Sequence, residues 1–130
     1  MVLLIVIGIS IFYKFRSEKT PKVNKEEIRI LILNGCGEPK LAKRGKKFLE
    51  FSGFNVVDIG DTSHDFTETV VADHKYEDKR NALFLAKFLH IPKHNVVYVK
   101  DTLMQDVMNV TLILGADYKK YIPDTVRAIQ

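Results

Sequence analysis

The feature that most limits the possible folds of this chain is a hydrophobic pattern that occurs twice. Ile28 to Leu33 (IRILIL) is short, rich in β-branched residues and nearly continuously apolar, as a buried strand should be. Asn34-Gly35-Cys36-Gly37 breaks it with turn chemistry. Pro39 suits the first turn of a helix, where its missing N–H costs nothing. Leu41, Gly45, Phe48, Leu49 and Ser52 then recur at helical spacing, which predicts an amphipathic helix over 39–52 ended by Gly53. Phe54 to Ile59 (FNVVDI) is the next strand. The second round starts at Thr67 to Asp73 (TETVVAD), whose alternation predicts a half-exposed strand. A helix over about 77–89 follows, with Ala82, Leu85, Ala86 and Leu89 on one face and Phe84 and Phe88 widening it. Asn95 to Val99 (NVVYV) and Val110 to Leu114 (VTLIL) complete five strands.

The order β-α-β-β-α-β-β predicts a single α+β domain of α/β-like character, in which two helices cover one face of a mixed five-stranded sheet. Periodicity leaves the strand order open between a ferredoxin-like and a small Rossmann-like arrangement. A hydrophobic content of 46% with 28% charged residues in 130 leaves room for one folded domain and excludes a disordered chain or a coiled coil. The net charge of +4 is too mild to point to nucleic acid, and neither zinc-finger spacing nor an aromatic-rich basic strand is present, so no nucleic-acid partner is expected.

Met1 to Tyr13 (MVLLIVIGISIFY) carries no charge, and the following residues Ser17 to Lys25 are polar. The expected organisation is a hydrophobic signal-anchor or transmembrane segment over 1–16, a linker over 17–26, the domain over 27–120 and a tail over 121–130. Roughly 15 helical residues span only about 22 Å, against about 30 Å of bilayer core. The segment therefore reads as an anchor that starts further upstream, as a marginal anchor, or as the apolar part of a signal peptide. Lys14 and Arg16 follow it, a placement that on its own favours a cytoplasmic domain.

Several groups invite a chemical reading. The loop Asn34–Gly37 lies between a strand and a helix, where backbone N–H groups receive anions. Gly35 and Gly37 match the first two glycines of a dinucleotide fingerprint, and Asp58 stands near the place of its ribose-binding acid. Lys40 occupies the place of the third glycine, and too little chain remains for the second half of that fold. Lys40, Arg44 and Lys47 share one helix face, suited to an anionic polymer or simply to water. His90 and His94 are separated by Pro92, which defeats paired ligation from one helix; His64 and His74 lack a fuller ligand set, so no metal is expected. Cys36 is the one cysteine, and a small residue filling a tight turn is the expected role. No nucleophile–base–acid arrangement has recognisable local context, so neither catalytic residues nor a cofactor are assigned.

Ile30-Leu31-Ile32-Leu33-Asn34-Gly35 with Gly37, then Leu41-Ala42, Leu49, Gly53-Phe54-Asn55-Val56-Val57, Thr69-Val70-Val71 and the Ala82/Leu85-Ala86/Leu89 helix form one set of matching features. Asn109-Val110-Thr111-Leu112-Ile113-Leu114-Gly115-Ala116-Asp117-Tyr118 closes it. Over about 27–120 the chain resembles the LytR C-terminal domain, found at the ends of LytR/CpsA/Psr envelope proteins and as a stand-alone membrane-anchored module. The resemblance implies an extracytoplasmic, single-pass accessory module that is not an enzyme and that binds or positions wall polymer or envelope proteins. The phosphotransferase activity of the larger proteins belongs to a separate domain for which this chain has no room. Candidate binding residues are Asn34, Gly35, Gly37, Lys40, Arg44, Lys47, Gly115 and Asp117. The alternative is a small Rossmann-like phosphate- or nucleotide-binding protein that uses the Asn34–Gly37 loop. Glu38-Pro39-Lys40 departs from the small residues usual in the family at that point.

Overall fold

The computed structural model describes residues 22–123; the apolar segment 1–16 and most of the tail 121–130 lie outside them. Strands β1 (Arg29–Asn34), β2 (Asn55–Asp61), β3 (Val70–Asp73), β4 (Val96–Tyr98) and β5 (Val110–Leu114) form one sheet, with helices α1 (Leu41–Phe51) and α2 (Arg80–Leu89) between β1 and β2 and between β3 and β4. The sheet order is β2-β1-β5-β3-β4. β1 runs parallel to β2 and β5, β3 runs parallel to β4, and β3 meets β5 antiparallel. The sheet is thus mixed, with an order that is neither ferredoxin-like nor that of a Rossmann half.

Two β-α-β units point in opposite directions on either side of β5. Crossovers of the same hand then place both helices on one face. Phe48 of α1 and Phe88 of α2 meet there, with ring centroids 6.0 Å apart. Ile30, Ile32, Val110, Leu112 and Leu114 of the central strands are fully buried under Leu41, Leu49, Ala82 and Leu85. Gly45 lets α1 come close, since a Cβ there would stand 3.3 Å from a methyl of Leu114.

A bulge decides the facing of β2. Ile30 pairs with Val56, but Leu31 pairs with Asp58 and Ile32 with Ile59, so Val57 is skipped. Strict alternation from Val56 would point Asp58 at the helices, an expensive place for an unpaired carboxylate. The extra residue turns Asp58 to the open face and Ile59 inward. β3 also departs from expectation. It is shorter than 67–73, and Val71, Ala72 and Asp73 are buried, because β5 and β4 flank it and α2 covers it. On the face that no helix of the described residues covers, Leu31, Leu33, Val70 and Ile113 stay half-buried.

The units end their helices alike. Phe54 N–H reaches Leu49 carbonyl and Ile91 N–H reaches Ala86 carbonyl, both closing over a left-handed residue, Gly53 (φ 91°) and His90 (φ 65°). A side chain at positive φ costs about 1 kcal/mol that glycine does not incur. His90→Gly is therefore expected to raise stability by about 1 kcal/mol, and Gly53→Ala to lower it by at least as much, read as shifts in the urea midpoint at constant m.

Candidate functional site

The upper end of the molecule, where β1, β2 and β5 finish, brings together the first and last pieces of the sequence pattern. Gly35 N–H donates to Leu114 carbonyl at 2.8 Å, Phe66 N–H donates to Gly35 carbonyl, and Ala116 N–H donates to Phe66 carbonyl. Thr69 donates to one Asp117 carboxylate oxygen from its backbone at 2.8 Å and from its hydroxyl at 2.7 Å. Gly115 N–H in turn donates to the Thr69 hydroxyl. A Cβ at Gly115 would stand 2.5–2.9 Å from the Glu68 backbone, and one at Gly35 2.9 Å from Ile113. Gly35, Gly115 and Asp117 therefore clasp the 62–69 loop over the strand ends. Burial pushes the Tyr121 hydroxyl pKa up, and the carboxylates of Asp117 and Glu68 add to the effect.

Asn34 is spent in the same way. Its side-chain oxygen accepts from the N–H groups of Cys36 and Gly37, each at 3.2 Å, and its amide donates to Glu38 carbonyl at 2.7 Å. The loop that resembles a phosphate cradle is thus closed around its own amide oxygen. Cys36 packs half-buried against the core. Gly37 has φ 75° with no atom within 4 Å of a Cβ, so glycine answers a backbone need there.

Asp73 is the counterpart of Asn34 in the second unit. One carboxylate oxygen accepts from Lys75 and Tyr76 N–H, the other from Asn81 and Ala82 N–H at 3.0 and 3.1 Å. Each helix begins after a left-handed lysine, Lys40 (φ 63°) or Lys79 (φ 60°), whose side chain gives no cap. Four donors and the positive end of the α2 dipole explain how Asp73 can be fully buried. No motif in the sequence separates Asp73 from other acids. Its signal was its position, six residues before Lys79 as Asn34 is before Lys40.

In the first unit the corresponding end is an open cleft of about 400 Å³, lined by Asn34, Lys40, Leu41, Ala42, Lys43, Ile59, Gly60 and Asp61. Of the predicted basic face, only Lys40 lines it. Arg44 leans over the Tyr118 ring at 5.7 Å, and Lys47 is exposed further along α1. Lys43, which helical spacing leaves off that face, also lines the cleft. Asp58 pairs with Leu31 on the open face, away from the cleft, so it does not serve as a ribose-binding acid there. His74 has a structural post, with its ring nitrogens 2.7 Å from Val99 carbonyl and from the Thr111 hydroxyl. Among the described residues, no three His, Cys, Asp or Glu side chains gather as a metal would require.

Residues 27–118 match the family model described as LytR cell envelope-related transcriptional attenuator. The chain belongs to this family. No curated protein and no solved structure gives a match. In this LytR_C domain, the Asn-Gly start and the Gly-Ala-Asp-Tyr finish that carry the resemblance are neighbours in space, and their polar groups hold the fold shut.

Two substitutions separate clasp from cap. Gly115→Ala is expected to cost about 2–3 kcal/mol, because the clash is with backbone and cannot be relieved by a side-chain rotation. Asp73→Asn leaves two buried N–H groups facing an amide donor and is expected to cost about 3 kcal/mol. Denaturant unfolding checks both, and amide exchange should show the second loss concentrated at the start of α2.

Proposed function

We propose that this chain is a non-catalytic accessory module of the cell envelope, held at the membrane by its apolar N-terminal segment with the domain outside the cytoplasm. Its upper end holds a wall polymer or a partner protein. The observation that carries the envelope reading is the family match over residues 27–118. The cleft supports the upper end as the binding place: Lys40 and Lys43 line it, and Lys46 and Lys47 follow on the same helix. Those four cations suit an acidic polymer through favourable but screened attraction. Lys14 and Arg16 oppose an outward domain only if no stronger cluster of positive charge precedes the apolar segment.

The phosphate- or nucleotide-binding alternative is weakened by the occupied loop. The N–H groups of Cys36 and Gly37 already meet the Asn34 oxygen, and displacing it would break its bond to Glu38 carbonyl as well.

The test is retention of the detergent-solubilised full chain on purified cell wall. Retention is expected to fall severalfold in Lys40→Ala/Lys43→Ala, while the unfolding midpoint stays unchanged, and to weaken with salt. Equal retention of the double variant would remove the cleft as the binding place. Nucleotides and sugar phosphates should leave thermal stability unmoved, whereas a ligand at 100 times its Kd would add about 2.7 kcal/mol.

A further inference from the structure

The described residues include eight large apolar side chains with substantial exposure, and the four most exposed share one place. Leu103 is 87% exposed, Phe51 68%, Val107 55% and Val99 49%. All four sit at the lower end, where β1 and β5 begin and β3 and β4 finish. Phe51 closes α1 just before β2, whose first residue Asn55 pairs with Arg29. Val99 follows β4 directly, and its N–H donates to Asp73 carbonyl at the end of β3. Leu103 and Val107 ride on the loop between β4 and β5. That loop is tied to the entering chain by Arg29, which donates to Asp106 carbonyl, and by Asn109, which donates to Glu27 carbonyl.

The N-terminal chain joins the domain at this same end. Lys25 donates to Ser52 carbonyl at the end of α1, and its ammonium lies 4.5 Å from the Phe54 ring centre and 5.8 Å from that of Phe88. Residues 14–21 separate the apolar run from the described chain. Fully extended, at about 3.4 Å per residue, they reach no more than about 30 Å. A domain tethered so briefly keeps its lower end near whatever holds the apolar run.

We propose that the lower end rests on the bilayer, with Phe51, Leu103 and Val107 reaching into the headgroup region, so that the Lys40–Lys43 cleft at the opposite end faces away from the membrane. This rests on the membrane attachment proposed above and adds to it an orientation and a lipid-contacting surface. Apolar burial drives the contact, because the charges around it are mixed: Lys25 and Arg29 stand beside Glu26, Glu27 and Asp106. The contact is therefore expected to be insensitive to the fraction of anionic lipid.

The chain contains no tryptophan, so a single one reports its own surroundings. Phe51→Trp, Leu103→Trp and, at the far end, Lys119→Trp would each be made in the full chain and reconstituted into phosphatidylcholine vesicles with and without brominated acyl chains. All three positions are exposed. Expected is co-flotation of every variant, quenching of at least half the emission from Phe51→Trp and Leu103→Trp by brominated lipid, and little from Lys119→Trp. The same pattern should persist when a third of the lipid is phosphatidylglycerol. Co-flotation with no quenching at the lower end, or with equal quenching at both ends, would overturn the orientation while leaving the anchor standing. A chain that does not float with vesicles would remove anchor and orientation together.

Discussion

The fold depends on one strand being held between two units that otherwise share no sheet contact. β5 pairs with β1 on one side and with β3 on the other, and no ladder joins the two β-α-β units directly. Both of its ends are secured by side chains. At its start, the Asn109 side chain accepts from Arg29 N–H and donates to Glu27 carbonyl, while its backbone carbonyl accepts from His74 N–H. At its finish, Gly115 and Asp117 grip Thr69. A five-residue strand contributed from the far end of the chain carries a high loop-closure cost, and these clasps help to offset it.

That arrangement accounts for the residues at the two ends of the sequence pattern. Asn34, Gly35, Gly115 and Asp117 satisfy backbone groups or permit close approach, as buried polar groups and crowded backbones require. Lys40 and Lys43 beside the cleft instead leave their side chains facing water. The ion pair of Arg80 with Asp78, at 2.7 Å, holds the Asp78 pKa down through its hydrogen bond, yet both partners are substantially exposed and the pair adds little to stability.

The two units show how one backbone plan accommodates different chemistry. Asn34 and Asp73 both organise the turn after a strand, but the amide donates to Glu38 carbonyl whereas the carboxylate turns its second oxygen to α2. The difference of one functional group gives Asp73 N–H partners at both oxygens, where Asn34 accepts at its oxygen and donates from its amide. Among the described residues no helix covers the other face of the sheet, where Leu31, Leu33, Val70 and Ile113 are half-buried.

The apolar periodicity determined the element order, the two helices and the strand VTLIL, because burial of a 3.6-residue stripe or a β-branched run follows from local residue spacing. It also marked the two loops at which the chain must turn. Tertiary structure alone decided the strand order, since pairing partners are chosen across long sequence separations that periodicity does not encode. It placed the bulge at Val57, which keeps Asp58 out of the core, and it made β3 an interior strand despite its Thr/Val alternation. It gave Asp73 its four donors, because the turn after β3 and the first residues of α2 fold back so that N–H groups two to nine residues on converge on one buried carboxylate. Lys43 joined Lys40 at the cleft for the same reason: the left-handed turn at Lys40 and the end of β2 meet in space, and no spacing along the chain records that meeting.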